Sequence, residues 1–402
     1  MKMSNELAIN GGKPSVSAKF ERYTWVDKGI LPKIEELILS NSFSGFLAQP
    51  SLEHLGGPSV RKLESNWSQL FKTKHAVTFN SWTSGLVAAV ASLGLKKGSE
   101  VIVTPWTMSA SVACLVANGL VPVFADIELE SFNIDPEDVS RKITKRTSAI
   151  LAVDIFGRSC NAPALRAIAQ NNELKLVIDA AQTPRAKING NRSAFYADIA
   201  GYSLNRHKHL QVGEGGVAVT DSDTLVERMR LMRNHSEVTS GSILDETVPI
   251  GHNWRMGEIE AELAAYQLEK FNLHIDHRVD TARELISQIK DIPEIHLPDL
   301  SDSFDHDYYI VGIRLKEKYS KQREWIATAL RAEGITNLIV GYQALHRLPS
   351  FRKYRQDNLV NTNQLHDQTF LGLYMCGNQF STRNISEISN AFHKVFGRLS
   401  KI

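Results

Sequence analysis

The chain has 402 residues, with 46 Lys and Arg against 44 Asp and Glu, a formal charge of +2. That near balance excludes the basic excess of a dedicated nucleic-acid binder. A composition 43% hydrophobic and 22% charged excludes large-scale disorder and predicts two or three well-cored domains.

Residues 1–30, rich in Gly, Pro and Ser and carrying Tyr23 and Trp25, read as an irregular arm. Leu31 to Leu39 has helical apolar spacing, and Val60 to Phe71 is amphipathic, with Val60, Leu63, Trp67 and Leu70 on one face. An alternation then begins. Ala76 to Phe79 is a short apolar strand, followed by the turn Ser81 to Gly85 and a helix through Leu93. Glu100 to Val103, Pro122 to Ala125, Ala149 to Val153, Lys175 to Ile178, Asp198 to Ser203 and Gly216 to Thr220 are further strands. Ala110 to Asn118 and Ala162 to Asn171 are helices between them. This rhythm predicts an α/β fold, a mostly parallel sheet sandwiched by helices. After about residue 250 the pattern changes. Ile259 to Arg283 reads as one long bridging helix, followed by a strand from Tyr308 to Leu315 and helices at Arg323 to Glu333 and Ile385 to Leu399. The expected organisation is an arm (1–30), a large domain (31–270) and a smaller C-terminal α+β domain (271–402).

Cys114, Cys160 and Cys376 are widely separated and odd in number. They suit neither a disulfide framework nor a paired zinc motif, and they fit a reducing cytosol. No stretch approaches the roughly 18 apolar residues of a membrane span, and the opening MKMSNELAINGGKPSV lacks the apolar centre of a secretory signal. A cytoplasmic protein without bound metal, nucleic acid or membrane is expected. No G-x-G-x-x-G follows the first strand, which disfavours a nicotinamide enzyme.

Three features carry chemistry. The apolar strand Val177-Ile178 ends on Asp179, at the edge where open parallel sheets bind ligands. Alone, such an Asp is more often a helix cap. Lys208 stands between an apolar strand and the turn Gly213-Glu214-Gly215-Gly216, where a lone lysine is more often a solvated charge. Asn80-Ser81-Trp82-Thr83-Ser84 lies at a strand-to-helix junction, whose free N–H groups suit a phosphate. Together they match what pyridoxal phosphate needs: a lysine for the imine, a carboxylate for the ring nitrogen and a helix start for the phosphate.

The chain resembles the StrS/DegT family of pyridoxal-phosphate sugar aminotransferases, of the aspartate-aminotransferase fold. The resemblance rests on NSWTSGLVAAVASLGLKKGSEVIVTPWTMSAS, GLVPVFADIELESFNIDPEDV, IFGRSCNAPALRAIA, LVIDAAQTPRA, YSLNRHKHLQVGEGGVAVT and GHNWRMGEIEAELAAYQLEK. It implies that Lys208 is the Schiff-base lysine, that Asp179 partners the pyridinium nitrogen and that Gln182 approaches the 3-oxygen. It implies phosphate contacts at Trp82, Thr83, Ser203 and Asn205, and at Asn253 across a homodimer with shared active sites. Trp82 stands where the family commonly has Gly. The ring-stacking position, usually aromatic, falls on Met108, with Trp106 as the alternative cover.

Relatives with histidine in place of the lysine are dehydratases, and His207 and His209 flank Lys208. The spacing to the glycine turn places Lys208 in the slot and favours transamination. The resemblance implies glutamate or glutamine as amino donor and a keto-sugar acceptor, mostly nucleotide-linked, for surface polysaccharide, lipopolysaccharide or secondary-metabolite synthesis. An oxidised octulosonic acid or a cyclitol ketone is the alternative acceptor. Arg158, Arg185, Arg206, Arg233, His235 and Arg255 are candidates for holding an acidic acceptor, although such residues are more often structural ion-pair partners. His306 and His346 have the same ordinary explanation.

Overall fold

Seven short segments dominated by apolar residues form the strands of one sheet: β1 (His75–Phe79), β2 (Glu100–Val103), β3 (Val121–Phe124), β4 (Thr147–Val153), β5 (Lys175–Asp179), β6 (Ile199–Ser203) and β7 (Gly216–Thr220). The computed structural model describes residues 6–49, 51–237, 250–299 and 305–399. The strand order is β1-β7-β6-β5-β4-β2-β3. Strands β6, β5, β4, β2 and β3 pair in parallel, while β7 runs antiparallel to both of its neighbours. The mostly parallel sheet expected from the alternation is present.

Both faces of the sheet are covered, which explains why its strands are continuous apolar runs rather than alternating ones. Val77, Val101, Val103, Leu151 and Val177 join one core with the Trp82–Ser92 and Ala110–Ala117 helices. Their chain neighbours Ala76, Ile102, Ile150, Leu176 and Ile178 join the opposite core, beneath the Pro58–Phe71, Ala162–Asn171 and Glu258–Glu269 helices. Successive side chains of a strand point to opposite faces, so burial of both sets requires helices on both sides.

The C-terminal part builds a second, antiparallel sheet from β8 (Ile295–His296), β9 (Ile310–Leu315), β10 (Leu338–Val340) and β11 (Phe370–Tyr374), in the order β8-β9-β11-β10. A third core lies between this sheet and the Phe271–Ile289, Arg323–Ala332 and Thr382–Phe396 helices. The last of these starts on a reciprocal cap, in which Ser381 Oγ accepts from the Asn384 N–H and Asn384 Oδ1 accepts from the Ser381 N–H.

Two points of the sequence reading need correction. The single helix over 259–283 is two, Glu258–Glu269 and Phe271–Ile289, separated at Lys270 (φ −106°, ψ 19°). The first buries Ala261, Ala264 and Ala265 in one core and the second buries Ala282, Leu285 and Ile286 in another, so the axis turns between them. Strands β10 and β11 were not expected; one is three residues long, and the other follows a helical turn over Leu365–Thr369 that masks its start. The arm is tied to the C-terminal part of the chain. Leu7 and Val16 enter the C-terminal core, and the buried Glu333 carboxylate accepts from the N–H groups of Ala8 (2.7 Å) and Ser15 (2.9 Å) and from Lys394 Nζ (2.9 Å).

Candidate active site

The site forms where the carboxyl ends of β5 and β6 meet the loop that follows β1. Asp179 is the last residue of β5 and pairs in register with Gly201 of β6. Directly after β1, Ser81 caps the Trp82–Ser92 helix by accepting from the Ser84 N–H at 3.1 Å. The first-turn N–H groups of that helix precede its own hydrogen-bond ladder, and Ser81, Trp82 and Thr83 line the pocket at the sheet edge.

Lys208 is delivered by the loop after β6. That loop is folded back on the glycine turn by bonds from the Leu204 N–H to Gly215 O and from the Arg206 N–H to Gly213 O, both 2.9 Å. Gly213 adopts φ +93°, a conformation that disfavours any side chain with a Cβ. The Lys208 amine is buried and sits 4.6 Å from the centre of the Tyr309 ring. Among the described residues it has no hydrogen-bond acceptor. Burial pushes it down from 10.5 to about 8, against the opposing pull of the Asp179 charge. The flanking histidines do not supply the shift. His209 turns away, its Nε2 3.0 Å from Asp307 O, and His207 lies at the pocket edge.

The pocket has a volume of about 230 Å³. Trp82, Thr83, Met108, Asp179, Gln182, Ser203, Asn205 and Lys208 all line it, so eight of the nine residues singled out from the sequence converge. Asn253 does not; it is exposed, and its Oδ1 accepts from Arg255 Nε at 2.9 Å. Trp106 is fully buried against Tyr342 and Phe370 and does not line the pocket, whereas Met108 lines it and is exposed.

Asp179 is held from three directions. Trp82 Nε1–H donates to Oδ1 at 2.8 Å, the Ala181 N–H donates to the same oxygen at 3.2 Å, and Ser111 Oγ donates to Oδ2 at 2.7 Å. Gln182 is fixed by the Phe156 N–H, which donates to its Oε1 at 2.8 Å. Asn205 Nδ2 donates to Glu214 at 2.8 Å, while its buried Oδ1 lacks a partner. Ser111, Glu214, Tyr309 and Tyr342 were not singled out from the sequence. The two tyrosines come from the C-terminal part, and no local pattern carries their proximity.

A second cavity of about 590 Å³ adjoins at His207. Arg22 and Arg206 line it, and none of its lining residues is acidic. Most of the other cations considered for an acidic acceptor are committed elsewhere. Arg233 is buried against Glu64, Arg185 pairs with Asp276 and Asp307, and Arg255 donates to Asn234 Oδ1. His306 Nδ1 accepts from the Tyr308 N–H, and His346 Nε2 lies 3.0 Å from Asn363 Oδ1. Arg158 bridges to His306 through the backbone, and His235 bonds through its N–H to His252 O.

Residues 45–392 match the model of the DegT/DnrJ/EryC1/StrS aminotransferase family. The chain belongs to that family. Aminotransferases of this family depend on pyridoxal phosphate. The chain is 31% identical over 296 residues to a GDP-perosamine synthase of Vibrio cholerae, covering 73% of this chain and 79% of that protein. It is 29% identical over 315 residues to a dTDP-3-amino-3,6-dideoxy-alpha-D-galactopyranose transaminase of Aneurinibacillus thermoaerophilus, covering 78% and 84%. The structure of Helicobacter pylori PseC, an aminotransferase involved in the biosynthesis of pseudoaminic acid, superposes with a TM-score of 0.84 at 23% identity, over 96% of this chain and all of that one. This aminotransferase therefore has homologues that make nucleotide-linked amino sugars. Among its described residues, no helix is long and apolar enough to cross a membrane, and no group of three or more His, Cys, Asp or Glu is placed to hold a metal.

Proposed function

We propose that this aminotransferase uses pyridoxal phosphate held at Lys208 to move an amino group from glutamate or glutamine to the carbonyl of a nucleotide-linked keto-sugar. The observation that carries the reading is the buried Lys208 amine, without an acceptor of its own, in one pocket with the Asp179 carboxylate. The cavity fits the cofactor on its own chemistry: a buried amine of lowered basicity, a carboxylate in the same pocket, and a helix start whose Ser81, Trp82 and Thr83 line it.

When bound, the cofactor supplies an electron-withdrawing ring that lets a carbon beside nitrogen give up a proton. Lys208 Nζ would hold its aldehyde carbon and, once displaced by the incoming amine, carry the proton at the substrate carbon. Asp179 would hold the ring nitrogen and Gln182 the 3-oxygen. The first-turn backbone at Trp82 and Thr83, with Ser203 and Asn205, would hold the phosphate; Asn205 must then give up Glu214. Met108 would cover the ring.

Asn253 lies outside its own pocket, which supports its reaching the site of a second copy. Leu31, Ile38, Leu39, Phe43 and Leu52 are large apolar residues left exposed along 31–52, a face suited to burial in a homodimer. The three cysteines are free and buried, in keeping with a cytoplasmic setting. Arg22 and Arg206 in the adjoining cavity favour an acceptor with a phosphate. The buried Lys208 amine in the pocket, with His207 only at its edge, favours transamination over dehydration.

The test is product mass spectrometry with glutamate and glutamine against GDP-, dTDP- and UDP-linked keto-sugars, an 8-oxo octulosonic acid and a cyclitol ketone. An amino sugar still linked to its nucleotide is the expected product. Amination of the sugar acid or cyclitol alone reassigns the acceptor, and loss of water without nitrogen transfer overturns the reaction class.

A further inference from the structure

The indole of Trp82 occupies a seat made for it. A Cβ on Gly201 would lie 1.8 Å from its Cη2, and one on Gly85 would lie 2.6 Å from its Cε3. Two glycines on separate elements thus admit a ring that no smaller side chain would require. The ring is buried, and its single polar atom, Nε1–H, donates to Asp179 Oδ1 at 2.8 Å. On the other oxygen, Ser111 Oγ donates at 2.7 Å from the Ala110–Ala117 helix. Ser111 is itself fully buried and keeps Thr107 Oγ1 at 3.2 Å as a second partner. Trp82 reaches across 97 positions and Ser111 across 68, so neither bond is a by-product of local geometry.

We infer that Trp82 and Ser111 are positioning residues that fix the plane of the Asp179 carboxylate and moderate its pull on the cofactor's ring nitrogen. The inference rests on the reading of Asp179 given above. A carboxylate offers about four acceptor sites. Three protein donors occupy this one, leaving about one direction for a ligand, and each donor takes a share of the charge. Removing either donor returns charge to the carboxylate that would hold the ring nitrogen. The ring nitrogen would then keep its proton more firmly and the ring would withdraw more electron density from the imine nitrogen conjugated with it, so that the imine proton, whose loss changes the visible absorption band, would leave at lower pH.

The test compares Trp82→Phe, which keeps a ring but loses the N–H, and Ser111→Ala with wild type, all loaded with pyridoxal phosphate. The midpoint of the pH titration of the visible band should move toward acid by about half a pH unit in each variant, the scale of one neutral hydrogen bond. A purely structural role would lower the Tm of the apoprotein and leave that midpoint at the wild-type value, and this result overturns the inference. If Trp82→Phe does not fold, Ser111→Ala decides alone, by the same displacement or its absence. Wild-type protein that develops no visible band overturns the reading of Asp179 and the inference with it, which distinguishes that failure from the first.

Discussion

Lys208→Ala is expected to abolish transamination, lowering kcat by at least about 10³-fold while the protein stays folded. The amine is buried and, among the described residues, makes no hydrogen bond, so its removal leaves no partner unsatisfied. Truncation also relieves the desolvation of a cation. Its chemistry is harder to replace. A shift from 10.5 to about 8 gives roughly 300-fold more free amine at neutral pH than an ordinary lysine has. Neither neighbour can substitute, because His209 is directed at Asp307 O and His207 sits at the rim. Steady-state kinetics with circular dichroism as the folding control measures the effect. Wild-type rates in a folded variant would contradict the assignment.

Asp179→Asn should keep the shape of the site and remove its charge. The amide oxygen still accepts from Trp82, and Ser111 retains its contact with Thr107 at 3.2 Å. The expected loss in kcat is about 10²- to 10³-fold, the usual effect of removing one preorganised electrostatic group. The sign at Lys208 separates two explanations. The Asp179 charge raises the amine against burial, so losing it leaves more free amine, not less. A fall in rate therefore belongs to the cofactor ring and not to lysine protonation. The check is kcat at several pH values. A loss that disappears at high pH would place the effect on Lys208 instead.

Much of this architecture could be read from the sequence, for physical reasons. Two-sided burial forces continuous apolar runs, and those runs marked β1 to β7. Asp179 ends one of them, and Lys208 precedes a turn whose Gly213 has a left-handed φ, so both carry local signals. What escaped depends on contacts between distant parts of the chain. Trp82 stands where a glycine was expected, and only the fold reveals Gly201 beneath it and Asp179 beside it. Tyr309 and Tyr342 enter the pocket from the C-terminal sheet region. The break at Lys270 has no proline or glycine to announce it. It follows from two cores that pull the flanking helices in different directions.

The most direct test of the proposed chemistry is covalent. Purified wild-type protein, incubated with pyridoxal phosphate and reduced with borohydride, should carry one cofactor-sized mass increment per chain. Proteolysis and tandem mass spectrometry should place that increment on Lys208. An increment on any other lysine, or none under conditions that label a known pyridoxal enzyme, would contradict the account.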